Sequence, residues 1–387
     1  MNHINANTVI GILGSGQLSR MSALAAAELG IKTSIYCDSE KTKSPASLVT
    51  SNTTYGSLNN LDQILYFAKN CDYLTLENEF IDSSILKAID EKFPNKLFPN
   101  SHSFNFIGDK ISEKKYFSEI GLPIGPYTEI KSKADIIEFA QAHSYPLILK
   151  KSKGGYDGFG NFKINNENQI DEALDKMGFY STNKPDLLVE KFIHYKKELA
   201  IVGVKNSFEQ KLYPIVETHQ DNHICHFVSA PADISRSTEQ KINDLTQLAL
   251  SKLPTRGLFA FEYFLDQNDQ IYFNESAPRP HNSAHYTINA CQTSQFKNHI
   301  LSVLDLPLGS TDMIYPATVM LNLLGTQNGV AELKPLNQFL NAHNAFLHLY
   351  GKEFSKPGRK MGHITFVGSN KAELFSQAQK IKEIYSL

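Results

Sequence analysis

Apolar positions follow two different periods along the first hundred residues. Short apolar runs at residues 8–13 and 33–37 have the length of buried strands, and between them apolar residues recur with helical spacing at residues 17–29. Further strand and helix patterns alternate as far as Pro99. Strands that alternate with helices are typical of a parallel sheet covered by helices. We therefore predict a small parallel α/β domain at residues 1–108.

The pattern changes after Gly121-Leu122-Pro123, where a predicted helix ends. Several strand-like runs follow one another closely between residues 186 and 230, which predicts antiparallel strands. The last part of the chain, from about Ala317, contains three strand runs and one closing helix. We predict a second domain of α+β type at residues 109–305 and a small β-rich domain at residues 306–387.

The composition of the 387 residues is that of an ordinary globular protein, with 41% hydrophobic and 20% charged residues. The net charge of −2 and the pI near 6.7 give no electrostatic indication of a nucleic-acid or anionic membrane partner. No apolar run is long enough to span a bilayer. The four cysteines are scattered, and the N-terminus has no cationic signal-peptide segment, so we predict a cytoplasmic protein with reduced thiols.

A β-hairpin is predicted within residues 258–286, where two aromatic-rich apolar runs flank a polar break. If Asn268-Asp269 is its two-residue turn, Glu262 lies directly opposite Glu275 on one face. Like charges in that position destabilise a sheet unless a cation compensates them. Mg²⁺ is commonly bound by one or two carboxylates together with substrate phosphates. Two interpretations stay open from the hairpin alone: a magnesium site, or two glutamates on a solvated face.

Two segments, one rich in glycine and one rich in basic residues, contain groups that could bind phosphate. A strand that ends in Lys150-Lys151 is followed by four glycines within residues 154–160, whose backbone N–H groups suit phosphate oxygens. This is not a Walker A motif, because the G-K-[ST] ending is absent. Residues 352–360 place four basic side chains around a Pro-Gly turn, and Arg and Lys both bind phosphate. The alternatives are a glycine-rich hairpin tip for the first segment and a solvated loop for the second.

Gly14-Ser15-Gly16 opens the first predicted helix, and Asp38 follows at the distance of a ribose-binding acid, which is the pattern of a dinucleotide site. Ser19 stands where the third glycine of that pattern is expected. We favour a tight turn whose helix-terminal amides are free for some anion. A nicotinamide-dependent oxidoreductase is kept as the alternative.

Two further polar clusters carry candidate chemistry. Glu77-Asn78-Glu79 follow a strand run, at the strand end where ligands of open α/β sheets gather, and a solvated loop is the alternative. His281 and His285 have the i, i+4 spacing of a helical zinc site. Pro278 and Pro280 argue against a helix there.

Together these segments describe an enzyme that transfers the γ-phosphoryl group of ATP, a reaction that needs positioning and charge neutralisation more than a protein nucleophile. The chain resembles, over essentially its whole length, the 5-(carboxyamino)imidazole ribonucleotide synthases, which are ATP-grasp ligases of purine biosynthesis. The resemblance rests on residues 11–21 (GILGSGQLSRM), 154–160 (GGYDGFG), 274–287 (NESAPRPHNSAHYT), 293–296 (TSQF) and 352–363 (KEFSKPGRKMGH). It implies an ATP-grasp fold with an N-terminal parallel α/β (pre-ATP-grasp) domain and a small C-terminal β-rich domain.

The resemblance also implies the residues of three adjoining sites. Those implied to contact ATP are Lys110, Lys150, Gly154, Gly155, Tyr156, Asp157, Gly158, Phe159, Gly160, Glu190, Lys191, Phe192, Ile193, Glu198, Gln220, Asn274 and Glu275. The implied magnesium ligands are Glu262, Glu275 and Asn274. The implied catalytic residues are Tyr156, Asp157, Arg279 and His281, and those implied to bind the ribonucleotide are Asn282, Ser283, Lys352, Arg359 and Lys360.

The implied reaction uses ATP, Mg²⁺ and bicarbonate. Bicarbonate attacks the γ-phosphorus of ATP to give carboxyphosphate. That species, or CO₂ released from it, then carboxylates the exocyclic amine of 5-aminoimidazole ribonucleotide. The resemblance further implies a homodimer that acts on small molecules.

Three positions depart from the family pattern. Ala284 stands in place of a usual glycine, and Tyr286 stands in place of a tryptophan. Gln220 stands where a phosphate-side histidine is common, so either Gln220 or His219 would take that role. Formate-dependent ribonucleotide transformylases and biotin carboxylases are the alternatives within the superfamily. Residues 352–363 speak against a biotin carboxylase, but the residues alone do not separate formate from bicarbonate.

Overall fold

The computed structural model describes residues 4–38, 43–79, 81–154, 160–221, 223–334 and 344–387 of the chain. Within these ranges the strands form two four-stranded sheets, one nine-stranded sheet and one two-stranded sheet. None of the helices in these ranges is both long and apolar enough to cross a bilayer.

The N-terminal part is a parallel sheet with helices, as predicted. Its elements are β1 (Val9–Leu13), α1 (Gln17–Glu28), β2 (Lys32–Cys37), β3 (Thr53–Tyr55), α2 (Leu61–Lys69), β4 (Tyr73–Leu76), α3 (Ser83–Lys92) and α4 (Ser101–Ile107). The strand order is β3-β2-β1-β4, and every pair is parallel. The carboxyl ends of β1 and β4 therefore lie side by side.

The middle part contains a small antiparallel sheet and most of a large one. Its elements are α5 (Lys110–Glu119), β5 (Tyr127–Ile130), α6 (Lys133–His143), β6 (Leu147–Lys151), β7 (Asn161–Ile164), α7 (Ile170–Lys176), β8 (Leu187–Lys191), β9 (Tyr195–Lys205), β10 (Gln210–Leu212), β11 (Val216–Asp221), β12 (Ile224–Ala230), α8 (Arg236–Lys252), β13 (Gly257–Asp266), β14 (Ile271–Ala277), α9 (Thr287–Ala290) and α10 (Gln295–Val303). The small sheet has the order β5-β8-β6-β7, and the large sheet begins β14-β13-β9-β11-β12.

The C-terminal part continues the large sheet. Its elements are β15 (Ala317–Leu324), β16 (Gly329–Val330), β17 (Ala345–Leu349), β18 (Phe354–Ser355), β19 (Lys360–Gly368) and α11 (Lys371–Ile384). Because β15 pairs with β12, the sheet runs across the boundary predicted between residues 305 and 306. The domain boundaries at residues 108 and 305 stay predictions.

Alternation along β13 decides which face of the hairpin reaches the site. Phe259, Phe261 and Tyr263 are buried in one core with Ile242 of α8. Since successive side chains of a strand point to opposite faces, Glu262 is turned to the other face of the sheet, where the cavity lies.

Candidate active site

Glu262 and Glu275 lie directly opposite each other on β13 and β14, as predicted. The two-residue turn from which this register was predicted is wrong. The turn runs from Asp266 to Gln270, with the Asp266 N–H donating to the Gln270 carbonyl at 3.0 Å, and Asp269 adopts a φ of 60°. This longer turn shifts the pairs next to it, such as Tyr263 with Phe273, by one residue.

A β-bulge restores the predicted pairing, and Asn274 is its extra residue. A bulge inserts one unpaired residue into a strand and re-aims the side chains near it. Asn274 lines the same cavity as Glu262 and Glu275. Its Oδ1 atom is buried and has no hydrogen-bond partner, whereas buried amide oxygens usually accept a hydrogen bond. This oxygen beside two carboxylates fits the ligand set of a hard cation.

Three acidic side chains crowd this part of the cavity. Burial raises the pKa of Glu262 well above its ordinary value, and the charges of Glu275 and Glu198 raise it further. Burial, and then the charge of Glu275, raise the pKa of Glu198 to about 7. Burial alone would raise the pKa of Glu275 too, but its ion pair with Lys110 lowers it to about 2. The acidic groups repel one another, so a cation would be bound favourably here.

In the described part of the chain, no group of three or more His, Cys, Asp or Glu side chains is arranged to hold a metal by itself. The remaining ligands of a cation at Glu262 and Glu275 would therefore come from Asn274, from water and from nucleotide phosphates, which is usual for Mg²⁺.

Lysines line the cavity beside these acids. Lys110 is the first residue of α5 and is ion-paired with Glu275. Lys150, near the end of β6, lies 3.0 Å from Glu190, and Lys114 lies 3.2 Å from the same carboxylate. Burial would raise the pKa of Glu190, but the two lysines lower it to about 2. This side of the cavity thus combines fixed positive charge with little solvent, as phosphate binding requires.

The proposed substrate side is built by the segment that follows β14. The Arg279 guanidinium donates to both carboxylate oxygens of Glu79, at 2.5 and 2.8 Å. His281 Nε2 lies 3.6 Å from Glu262 Oε1, and its Nδ1 lies 2.8 Å from Ser283 Oγ. Burial, followed by the charge of Arg279, lowers the pKa of His281 to about 4, so its ring is neutral at pH 7. Asn282 and the buried Asn322 of β15 exchange two amide hydrogen bonds of 2.8 Å.

The cationic segment of residues 352–360 reaches the cavity through its last residue, Lys360, which begins β19 and lines the cavity. The Lys352 ammonium donates to the Lys360 carbonyl at 2.5 Å. Burial, followed by the charge of Arg359, lowers the pKa of Lys352 to about 8. The Arg359 guanidinium donates to the Phe354 carbonyl at 2.6 Å and is partly exposed.

Most of the predicted site residues meet in one cavity of about 1100 Å³. Those that line it are Lys110, Lys150, Gly154, Glu190, Lys191, Phe192, Ile193, Glu198, Gln220, Glu262, Asn274, Glu275, Arg279, His281, Asn282, Ser283 and Lys360. Gly155, Tyr156, Asp157, Gly158 and Phe159 lie outside the described residues. Gly160 is described and has a positive φ of 85°. The roles assigned to all these residues stay predictions.

Gln220, and not His219, is turned to the cavity. Its side chain donates to Glu198 Oε1 at 2.5 Å. His219 lies 3.1 Å from Ser229 Oγ and packs edge-on against Phe375 of α11. Sequence reasoning also missed Glu113, which lines the cavity, and Lys114, which is ion-paired with the lining residue Glu190. Their signal was the repeated lysine spacing from Lys110 to Lys114, one helical turn apart.

The dinucleotide alternative is contradicted by the start of α1. The N–H groups of Gly16 and Leu18 donate to the Glu77 carboxylate, at 2.5 and 3.3 Å. A Cβ atom on Gly16 would lie 2.1 Å from Glu77 Oε1, so the acid fills the space next to the helix end. The prediction that the amides at this helix end are free for an anion is therefore wrong, because they already donate to the Glu77 carboxylate.

The two histidines that were considered for a zinc site contact different partners. His281 contacts Ser283, whereas His285 Nδ1 lies 2.9 Å from Gln295 Nε2. A 3₁₀ turn at Asn282–Ala284 separates them, so they do not share one face of an α-helix.

The fold and the site define an ATP-grasp protein. Residues 7–108 match the ribonucleotide synthetase pre-ATP-grasp domain, residues 115–296 the ATP-grasp domain, and residues 318–377 the phosphoribosylaminoimidazole carboxylase C-terminal domain. Among curated relatives, the N5-carboxyaminoimidazole ribonucleotide synthase of Synechococcus elongatus is 34% identical over 387 residues, which cover 98% of this chain and 95% of that protein. The chain belongs to the N5-carboxyaminoimidazole ribonucleotide synthase family.

Other relatives are longer than this chain. The phosphoribosylaminoimidazole carboxylase of Candida glabrata is 38% identical over 383 residues, which cover 96% of this chain but 65% of that protein. Among solved structures, the N5-carboxyaminoimidazole synthase of Aspergillus clavatus in complex with ADP and 5-aminoimidazole ribonucleotide has a TM-score of 0.88 and 33% identity. The match covers 98% of this chain and 99% of that one. The predicted fold class and family are thereby confirmed.

Proposed function

We propose that the protein catalyses the ATP- and bicarbonate-dependent carboxylation of 5-aminoimidazole ribonucleotide at its exocyclic amine, in purine biosynthesis. The observation that carries the proposal is the facing pair of Glu262 and Glu275. Lys110, Lys150 and Arg279 line the same cavity as this pair. A phosphoryl donor held by the lysines and an acceptor held near Arg279 would then meet beside the two glutamates. The family relationship and the ligands named for the Aspergillus clavatus structure support the same assignment.

ATP would bind with its phosphates between the lysines and the acids. Lys110 and Lys150 neutralise charge on the phosphates, and Lys191, Phe192 and Ile193 line the part of the cavity proposed for adenine. Glu262, Glu275 and Asn274 would hold Mg²⁺. When bound, that ion would supply positive charge that stabilises phosphoryl transfer.

The chemistry consists of two displacements. An oxygen of bicarbonate attacks the γ-phosphorus, ADP leaves, and carboxyphosphate forms. The amine nitrogen then bonds to the carboxyl carbon, either by attacking carboxyphosphate, from which phosphate leaves, or by adding to CO₂ after carboxyphosphate has released phosphate. In both routes the amine gives up a proton. Arg279 would stabilise the anionic intermediate, while the neutral His281 would orient the reacting groups by hydrogen bonding. Tyr156 and Asp157 complete the proposed catalytic set.

The ribonucleotide would lie towards the C-terminal strands. Asn282 and Ser283 would contact its base and sugar, and Lys352, Arg359 and Lys360 would hold its 5′-phosphate. Carboxyphosphate is lost to water in an open site, so exclusion of water and a nearby amine are both required.

We also propose that the protein is a cytoplasmic homodimer that acts on small molecules and uses no nucleic acid or membrane partner. The family resemblance and the near-neutral charge support this.

The proposal is tested by ADP release in the presence of ATP, Mg²⁺, bicarbonate and aminoimidazole ribonucleotide, with each component omitted in turn. We expect release to depend on all four. Release that ignores the ribonucleotide would contradict the proposal. Release supported by formate in place of bicarbonate would instead identify a formate-dependent ligase.

A further inference from the structure

The outer edge of the bulged strand β14 is bound by two buried side chains of α5. Strand β14 is the edge of the large sheet. On its outer side the Phe273 N–H donates to the Pro123 carbonyl at 2.7 Å, and the backbone groups from Asn274 onwards have no neighbouring strand there among the described residues. Glu113 Oε1 accepts hydrogen bonds from the Ser276 N–H and the Ser276 hydroxyl, both at 2.6 Å. The Lys114 ammonium donates to the Asn274 carbonyl at 3.3 Å. Unpaired edge groups that are buried need such partners.

These two contacts bracket Glu275. They fix the backbone on both sides of the residue, within the bulge that carries Asn274 into the cavity. Glu113 and Lys114 are 1% and 3% exposed, so neither has water to compete for its bonds. Lys114 also lies 3.2 Å from Glu190, which ties the strand to the small sheet.

A bulge is a place where a small rotation of the backbone re-aims a side chain. Mg²⁺ demands near-ideal octahedral geometry, so its affinity depends on where the ligand oxygens are held. Groups that hold metal ligands in place typically change metal affinity without touching the metal.

We propose that Glu113 and Lys114 are positioning residues that hold the Asn274 bulge, and so set the geometry with which Asn274 and Glu275 bind the metal–nucleotide complex. The inference rests on the proposed function, because it requires a metal at that site. The alternative is that the two side chains only satisfy the edge of a sheet. In that case they would contribute to stability and leave metal affinity unchanged.

The test is a calorimetric titration of ADP into the full-length protein with and without Mg²⁺. In the wild type, Mg²⁺ is expected to tighten ADP binding. The tightening is the ratio of the dissociation constants of one variant without and with Mg²⁺, and Glu113→Leu should reduce this ratio about tenfold. Glu113→Gln keeps an acceptor oxygen for both Ser276 donors and should retain the tightening.

Two further variants keep the test decisive. Ser276→Ala removes one of the two hydrogen bonds and should reduce the tightening by about threefold, which gives a readout even if Glu113→Leu does not fold. Thr318→Val is the matched control. It removes a buried hydroxyl of β15 that donates to the Phe366 carbonyl at 2.8 Å, and neither Thr318 nor Phe366 lines the cavity. It should lower the melting temperature without changing the effect of Mg²⁺.

The outcomes separate the two proposals. If Mg²⁺ tightens ADP binding equally in the wild type, Glu113→Leu and Ser276→Ala, the positioning role is refuted and the proposed function stands. If Mg²⁺ has no effect on ADP binding in the wild type, the metal site of the proposed function fails, and the positioning role fails with it.

Discussion

Glu262 and Glu275 are direct cross-strand partners, and the ammonium group of Lys110 is ion-paired with Glu275. The lysine keeps the pKa of Glu275 at about 2 against the effect of burial, whereas burial and the neighbouring acids raise the pKa of Glu262. One carboxylate of the pair is therefore balanced by a cation and the other is not. A divalent ion would supply the missing charge, which is the central feature of the proposed site.

Glu275→Gln should lower kcat by about 100-fold or more, because a ligand worth several kcal/mol of transition-state charge stabilisation is lost. The measurement is steady-state ADP release at saturating ATP and ribonucleotide. Glu217→Gln is the control. Glu217 is paired with Lys197 at 2.6 Å outside the cavity lining. Wild-type turnover in Glu275→Gln would refute the metal assignment.

Glu190→Gln should destabilise the ligand-free protein by about 3–5 kcal/mol, because it leaves the buried Lys114 and Lys150 without their carboxylate. The lowered pKa of Glu190, about 2, means that its contribution is fully present at pH 7 and is lost only as pH falls towards that value. Chemical denaturation measures the change.

The surface pair of Lys176 and Glu172 offers the matched control for that experiment. Its members lie 2.6 Å apart and are more than half exposed. Glu172→Gln should cost at most about 0.5 kcal/mol. Equal losses in the two variants would show that the stability of the protein does not depend on the pairing of Lys114 and Lys150 with Glu190.

Arg359→Ala should raise KM for the ribonucleotide about tenfold and leave KM for ATP unchanged, because the proposed charge-assisted contact with the 5′-phosphate belongs to the ribonucleotide only. Lys356→Ala, an exposed cation in the same turn, is the control and should change neither value. A rise in KM for ATP would contradict the assignment of residues 352–360 to the ribonucleotide.

The value of kcat/KM for the ribonucleotide should fall as pH rises through about 8. Burial, followed by the charge of Arg359, lowers the pKa of Lys352 to about 8, so this side chain loses its positive charge above that pH. Lys352→Arg should keep its charge and flatten the profile over this range. A wild-type profile that is flat across the same range would exclude Lys352 from the phosphate site.

The sequence predicted the pairing of the two glutamates for a reason that was only partly right. Alternation of apolar residues fixes the faces of β13, and that part of the prediction is confirmed. The predicted turn was one residue shorter than the observed one, and the extra residue of the bulge, Asn274, compensated for that error in the register. A bulge at a polar residue inside an apolar run leaves no distinct pattern, so the sequence alone did not reveal it.

Contacts between distant segments set the limit of the sequence interpretation. Glu77 binds the start of α1 from a strand some sixty residues away, which excludes the dinucleotide site that local spacing suggested. Glu113 and Lys114 reach β14 across separations of 163 and 160 residues, and in the sequence they look like solvent-facing residues of a polar helix. Nothing in their local pattern indicates which strand edge they will meet.

The central claim, ATP-driven carboxylation of an amine, is tested most directly by isotope labelling. The protein is supplied with ATP, Mg²⁺, ¹³C-bicarbonate and a ribonucleotide whose exocyclic amine carries ¹⁵N, and the product is followed by NMR. The account predicts a carbamate carbon with one-bond coupling to ¹⁵N, formed in step with ADP. Label on a ring carbon, or ADP release without any incorporation of label, would contradict it.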